Sequence, residues 1–388
     1  MNRFALVLAA WTLASSLLGC LKDNDKFKWQ QRTDSSSDDT VSESETVSES
    51  ASATQTDTTL SEDWITISAG SFWMGTPDGN CPADYPGGAE CHSEPGRDSD
   101  ENLHFVTITY LFYLMRIEVT QSIFTELMGY NPSYFGPNGS GIDCGGDCPV
   151  ENVSFFDAVA YANWLSLREG LSPCYVLTNA VCAQGTQTAV GADYMSCFDG
   201  DSKSSGGIST ANVSLYRVTK PQECLAYRLP TESEWEYAAR AETMTALSKG
   251  ELPITNCTLD ANLDAIGWYC GNSTITTHPA ASKSANDWGL YDMSGNVAEW
   301  TWDWYSLAYP TGTLDQPLTD PPGPGSGASR SIRGGSFKDP ASAARSGSRE
   351  GGRSPSYRSS NLGLRLARSV DSGIHKDTDT ASDTDSGT

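Results

Sequence analysis

Asp292, Asn296 and Glu299 fall within eight residues of a turn-like stretch, NDWGLYDMSGNVAEWTWDWY, at Asn286–Tyr305. Oxygen donors this close, joined by backbone carbonyls, suit a hard cation such as calcium, which takes roughly six to eight oxygens. Acids and amides in such a stretch also hydrogen-bond the turn's own backbone, so a purely structural reading stands beside the metal one. Four tryptophans (Trp288, Trp300, Trp302, Trp304) make the run too aromatic for a loop tip, and Gly289 and Gly295 make it too glycine-rich for a helix. The spacing predicts a tight turn at Ser294-Gly295-Asn296 between two extended, buried segments.

The chain carries eleven cysteines. Apart from Cys20 they are Cys81, Cys91, Cys144, Cys148, Cys174, Cys182, Cys197, Cys224, Cys257 and Cys270. An even set, mostly close in sequence and in loop-like surroundings, predicts five disulfides and an oxidising compartment. Cys81–Cys91, Cys144–Cys148 and Cys257–Cys270 are natural local pairs, although spacing does not fix the connectivity. A thiolate metal site is the alternative, but C-x-x-C spacing is lacking and His92, His104, His278 and His375 are scattered. There is no nucleophile elbow, phosphate loop or dinucleotide fingerprint. The pairs Asp292/Glu299 and Glu234/Glu236 offer carboxylates of the kind glycoside hydrolysis uses, yet both have structural readings.

These residues must be positioned by one large domain within 388 residues. Residues 1–19 form a basic, then apolar, leader too short to span a bilayer stably. Residues 20–63 hold eleven acids from Leu21 to Asp63, and the tail 370–388 holds five Asp and one Lys. Both tracts are polar, acidic and poor in apolar residues, so they are expected to be disordered. The tether would hold the domain tens of ångströms off a membrane. A net charge of −24 argues against a nucleic-acid partner.

The domain is expected at 64–369, with an insertion at about 173–226 that includes one strand at Val213–Val218. Trp64–Gly75 alternates like a strand broken by a hairpin at Ala69-Gly70, and His104–Val119 resumes extended structure. Thr120 opens a short helix ending at Gly129, with Val119 and Phe124 as a hydrophobic staple. Ser154/Asp157 and Thr231/Glu234 are capping boxes that start two more helices. Arg330–Arg368 holds eight arginines and Lys338 against Asp339 and Glu350. The expectation is that these arginines pair with helix acids such as Asp157, Glu232, Glu234 and Glu236. Short helices, short strands and long loops predict an α+β domain of low regular content.

GLYDMSGNVAEW resembles the signature of the formylglycine-generating enzyme, or sulfatase-modifying factor, family. Further segments match in order: Gly70–Thr76, Pro149–Ser166 with Tyr227–Arg240, and Arg333–Arg368. The resemblance implies an irregular, C-type-lectin-like variant fold. It implies structural calcium on Asp292 and Glu299 with the carbonyls of Gly295 and Val297, and a weaker second site beginning at Asn262 and Leu263. The family's oxidases convert a sulfatase cysteine to formylglycine with copper held by two cysteines, the first just after the GGS-aromatic motif. Here GGSF is Gly334–Phe337, Asp339 stands at that first-cysteine position, Ser336 lies beside the oxygen position, and no cysteine follows Cys270. Copper is therefore not expected. Leu17-Leu18-Gly19-Cys20 resembles a bacterial lipobox, which implies lipidation at Cys20 and an envelope location, with Leu21 pointing to the outer membrane. The reading that follows is a membrane-anchored, non-oxidase binding paralogue whose cleft, lined by Trp300, Ser336 and Tyr357, takes a peptide, glycan or envelope protein. The alternatives are an oxidoreductase with another ligand set, such as Cys144 and Cys148, and a structural envelope protein.

Overall fold

Alternating apolar residues make strands of Trp64–Ile67 (β1), Gly70–Met74 (β2), His104–Ile108 (β3) and Phe112–Met115 (β4). The computed structural model describes residues 63–86, 91–183, 188–189, 194, 197–198, 206–308 and 312–370, all within the compact unit Asp57–Thr388. The leader, Cys20, the tether up to residue 62 and the tail beyond residue 370 lie outside the described residues. The hairpin expected at Ala69-Gly70 does not form. β1 pairs antiparallel with β4 and β2 with β3, so sequence neighbours enter different sheets. Alternation specifies a strand and its buried face but not its partner.

Gln121–Met128 (α1) starts after Thr120 and ends at Gly129, whose φ of 77° suits glycine. Val119 and Phe124, the two staple residues, are wholly buried. The Thr120 side chain makes no cap bond and meets Ser122 Oγ at 3.1 Å instead. Phe155–Arg168 (α2) begins with the Ser154/Asp157 box as expected. Where one strand is expected in the insertion, three form: Tyr175–Cys182 (β5), Thr188–Ala189 (β6) and Ile208–Leu215 (β7), with β5 central. Tyr227–Arg228 (β8) leads to Glu232–Arg240 (α3), which carries the Thr231/Glu234 box. Ala261–Ile266 (α4) is capped by Asp260.

The remaining strands are Ala298–Trp304 (β9), Leu318–Thr319 (β10), Arg330–Arg333 (β11), Gly352–Arg353 (β12), Leu362–Gly363 (β13) and Ala367–Ser369 (β14). Four small sheets result, in the orders β1-β4-β14-β8, β10-β3-β2, β12-β11-β9-β13 and β6-β5-β7. The fold is thus α+β with low regular content. Of the two extended arms expected around the Ser294–Asn296 turn, only the downstream one, β9, is a strand. Upstream, Asn286 Oδ1 accepts from the backbone N–H of Trp288 and Leu290 at 3.1 Å each, a local turn that competes with extension.

Five disulfides join the ten described cysteines: Cys81–Cys91, Cys144–Cys148, Cys174–Cys224, Cys182–Cys197 and Cys257–Cys270. The three local pairs are as expected. The other two close the insertion.

The C-terminal arginines do pair with helix acids. Arg333 bridges Glu232 and Glu236, Arg349 reaches Glu232 at 2.7 Å, and Arg358 pairs with Asp157. Glu234 departs from this scheme. Its partner is Arg228, at 2.7 Å, from β8 just before α3. Arg228 holds the Glu234 carboxyl, and Arg240 with Arg333 the Glu236 carboxyl, below the ordinary range although burial pushes the other way. Arg345 ties in the loop after β2 through Glu94 and Glu101, at 2.8 and 2.7 Å.

Candidate functional site

β11 runs into Gly334-Gly335-Ser336-Phe337, and the signature turn clamps this segment from the other side. Gly295 N donates to Gly334 O at 2.8 Å, and Phe337 N donates to Asn296 O at 2.8 Å. Gly295 has a φ of 97°, and a Cβ there would sit 2.2 Å from Trp268 O, so glycine is required for the approach. The clamp fixes Ser336 in a wholly buried position.

Ser336 Oγ donates to Asp339 Oδ2. Asn361 Nδ2 donates to Ser336 Oγ at 2.9 Å and to Asp339 Oδ2 at 3.3 Å. Ser359 Oγ donates in turn to Asn361 Oδ1. Beside this network lies a cavity of about 90 Å³, with Lys338, Asp339, Glu350, Arg353, Tyr357 and Asn361 among its lining residues. Burial, together with the Asp339 carboxylate, pushes the Glu350 carboxyl up to about 8. Glu350 Oε1 is buried without a hydrogen-bond partner among the described residues. Glu350, Arg353 and Asn361 are site residues that the sequence reading missed. Glu350 was legible only as an acid in a basic stretch.

Copper does not fit this arrangement. Cu(I) is a soft ion suited to thiolates. Ser336, Asp339 and Asn361 offer a hydroxyl, a carboxylate and an amide, while Cys144 and Cys148 are bridged to each other.

A second, open groove of about 550 Å³ adjoins the cavity, sharing Lys338. Its walls include Tyr134, Phe135, Ile142, Ile275 and Phe337, with Phe135 edge-on to Phe337 at 5.4 Å. Glu151 supports that wall: its Oε1 accepts from Phe135 N at 2.8 Å. Burial pushes the Glu151 carboxyl up to about 7. Tyr357 stands half-exposed at the cavity mouth. Trp300 corrects the expectation for it. It is wholly buried, packs edge-on to Phe155 and donates to Val153 O at 3.0 Å, so it belongs to the core and not to a cleft.

The acids of the signature stretch lie behind the turn. Glu299 pairs with Arg365 at 2.8 Å and accepts from Trp235 Nε1 at 2.7 Å. Asp292 Oδ2 accepts from Ala281 N at 2.7 Å, but its Oδ1 is buried with no partner among the described residues. Glu118, also wholly buried, receives Val297 N and the Asn296 amide at 3.0 and 2.9 Å. Burial and its neighbours Asp292 and Glu299 drive the Glu118 carboxyl well above the ordinary range. Glu118, Asp292 and Glu299 are thus grouped near Arg365, with one Asp292 oxygen left open among the described residues. Glu118 was missed, although a lone acid between Ile117 and Val119 in an apolar run was its signal. Asn262 and Leu263 lie in the first turn of α4, capped by Asp260, and the nearby Asp264 is held by Lys283 at 3.0 Å.

The profile of the sulfatase-modifying factor enzyme 1-like domain matches residues 49–370. The chaperone protein LppX of Paenibacillus barcinonensis is 31% identical over 271 residues, covering 66% of this chain and 76% of that protein. A formylglycine-generating enzyme of Streptomyces coelicolor is 36% identical over 168 residues, which span 37% of this chain and 47% of the enzyme. Among solved structures, Treponema denticola variable protein 1 superposes with a TM-score of 0.59 and 31% identity, covering 79% of this chain and 95% of that one. PvdO from Pseudomonas aeruginosa gives 0.52 and 25%, covering 79% and 94%.

Proposed function

The chain belongs to the sulfatase-modifying factor enzyme 1-like family, and from that premise we propose that it is a binding paralogue of the family's oxidases rather than an oxidase. The observation that carries this reading is Asp339. A carboxylate held by Ser336 and Asn361 occupies the position where the resemblance puts a copper-binding cysteine. The extended likeness to a protein named as a chaperone supports the same reading. The test is to incubate the purified chain with copper, oxygen and a cysteine peptide of the sulfatase type, then examine the peptide by mass spectrometry. Unchanged cysteine is expected, and formylglycine would refute the proposal.

In this reading the protein is secreted, lipidated at Cys20 and tethered to the cell envelope, at the outer membrane where there is one. Its ligand is presented by another envelope component, as peptide or glycan. Metabolic labelling with a fatty-acid analogue should mark the wild type and not Cys20→Ala.

We also propose a structural calcium held by Asp292 and the carbonyls of Gly295 and Val297, with Glu299 sharing its oxygens between the ion and Arg365. The ion would offset the buried acids and order the turn, and takes no part in chemistry. Excess calcium should raise the melting temperature of the wild type by several degrees and leave Asp292→Asn unmoved. Equal responses would remove Asp292 from the site. A response that is reduced but not abolished in Asp292→Asn would point to a second ion at Asn262 and Leu263.

A further inference from the structure

One side of α1 borders a groove of about 550 Å³ that shares no lining residue with the cavity beside Ser336. Its other walls include Asn131, Asn138 and Asp143. The loop that carries them also lends Ser140, Gly141 and Ile142 to the groove beside Phe337, so it lines two separate depressions.

The walls of the α1 groove are held in place by their own hydrogen bonds. Gln121 is 1% exposed, and its carboxamide accepts from Asn131 Nδ2 at 2.8 Å and donates to Phe135 O at 3.2 Å. Asn131 Oδ1 accepts from Ser133 N at 3.0 Å. Gly136 permits this approach, since a Cβ there would sit 2.9 Å from both Asn131 Nδ2 and Gln121 Oε1. The backbone N–H groups of Gln121 and Ser122 donate to Cys148 O and Gly146 O at 2.8 and 2.9 Å, and the Cys144–Cys148 bridge closes the loop there. Walls already fixed lose little freedom when a ligand arrives.

The side chains present narrow the occupant. Among the described residues no lysine, arginine or histidine lines the groove, while Glu126 and Asp143 do, so a phosphate or carboxylate finds no counter-charge. No leucine, isoleucine, valine, methionine or phenylalanine lines it either, which leaves an acyl chain or apolar side chain little to bury against. The two acids do not make a cation site. No three metal-binding side chains come together among the described residues, Glu126 lies 3.7 Å from Arg168, and Asp143 Oδ1 accepts from Gly145 N at 3.0 Å. What remains is three carboxamides, the hydroxyls of Ser122 and Thr125, and two carboxylates. A carboxamide presents a donor and an acceptor side by side, and neighbouring hydroxyls of a sugar ring do the same, so one side chain can serve two hydroxyls. An extended peptide asks instead for a row of open backbone groups, which a helix uses internally.

We propose that this groove binds a neutral glycan, with Asn138 and Asp143 among the groups that hold its hydroxyls. The volume lies within the range of small-molecule sites and admits a short oligosaccharide. This site goes beyond the binding reading above, because it is separate from the cavity beside Ser336.

The test is saturation-transfer NMR followed by calorimetry on the intact chain. The probes are maltotriose, cellotriose, mannotriose and triacetylchitotriose, with trigalacturonate as an acidic and triglucosamine as a basic counterpart. At least one neutral trisaccharide should bind, about tenfold tighter than either charged one. Asn138→Ala should weaken it about three- to tenfold, as the loss of one hydrogen bond would. Asp143→Asn keeps an acceptor for Gly145 N and should narrow the margin over trigalacturonate. Both side chains are exposed, and circular dichroism checks that the variants fold. Binding of no neutral trisaccharide, tighter binding of either charged one, or affinities unchanged in both variants would overturn the proposal. So would an affinity lost in Ile275→Ser, which would move the ligand to the other groove. The formylglycine assay does not involve α1, so the non-oxidase reading stands or falls separately.

Discussion

The acidic face of α3 and the cavity beside Ser336 treat buried carboxylates in opposite ways. On α3, Glu232, Glu234 and Glu236 each meet at least one arginine, at distances such as 2.7 Å for Arg228–Glu234. In the cavity, Glu350 keeps an oxygen without a partner among the described residues although Arg353 and Lys338 are near. The first arrangement is closed, and every lone pair it uses serves to hold helix, strand and loop together. The second opens onto a cavity of about 90 Å³. The contrast separates scaffold from site without reference to conservation: paired acids position the fold, and an acid left with unused capacity is where something else can act.

The strongest way to break this comparison is Arg333→Met. It strips one cation from Glu232 and Glu236 together, leaving Glu232 to Arg349 and Glu236 to Arg240, and should cost about 1–3 kcal/mol in urea unfolding. A loss near zero would mean that the α3 lattice is no scaffold.

Glu350→Gln should behave differently. The Glu350 carboxyl titrates near 8 in the folded chain and near 4.5 when unfolded. Its contribution is therefore fully present below about 4.5 and is lost as pH rises through 8. Gln keeps the neutral shape throughout. Melting temperatures of wild type and variant should coincide near pH 5, and the variant should melt higher at pH 9. A variant that is less stable at every pH would return Glu350 to the scaffold.

Glu151→Gln is the smallest and sharpest probe. Its folded value near 7 lies closer to 4.5, so the gain of the variant should be smaller than for Glu350→Gln. It should appear between pH 5 and 8 by the same sign argument.

Much of the scaffold was legible in the sequence because its causes are local. The boxes at Ser154/Asp157 and Thr231/Glu234 need only three residues of spacing. The pairing of C-terminal arginines with helix acids followed from charge segregation, except that Glu234 takes Arg228, six residues before it, over the distant stripe. Strand partners were not legible, since β1 and β2 stand two residues apart in sequence and answer to different sheets. Trp300 was assigned to a cleft because an aromatic next to a signature turn fits either a ligand surface or a core. Its burial is decided by α2, which the spacing within the signature does not encode. Glu350 and Asn361 escaped for the complementary reason. Both lie within the matching segment Arg333–Arg368, but only tertiary packing brings them to Ser336.

The bridge between Cys174 and Cys224 has a further consequence. It joins the two ends of the insertion, 50 residues apart in sequence, with their Cα atoms 5.6 Å apart. A protease cut anywhere between them leaves the amino- and carboxy-terminal portions on one covalent molecule, so the signature turn and the GGSF segment would remain attached to α2 and its box. The nicked protein would run as a single species until a reductant was added. The cut would also leave the insertion seated on the domain, because Tyr175 and Ile208 are buried there, with Tyr175 stacked on Trp302 and Ile208 N donating to Asp157 at 2.9 Å.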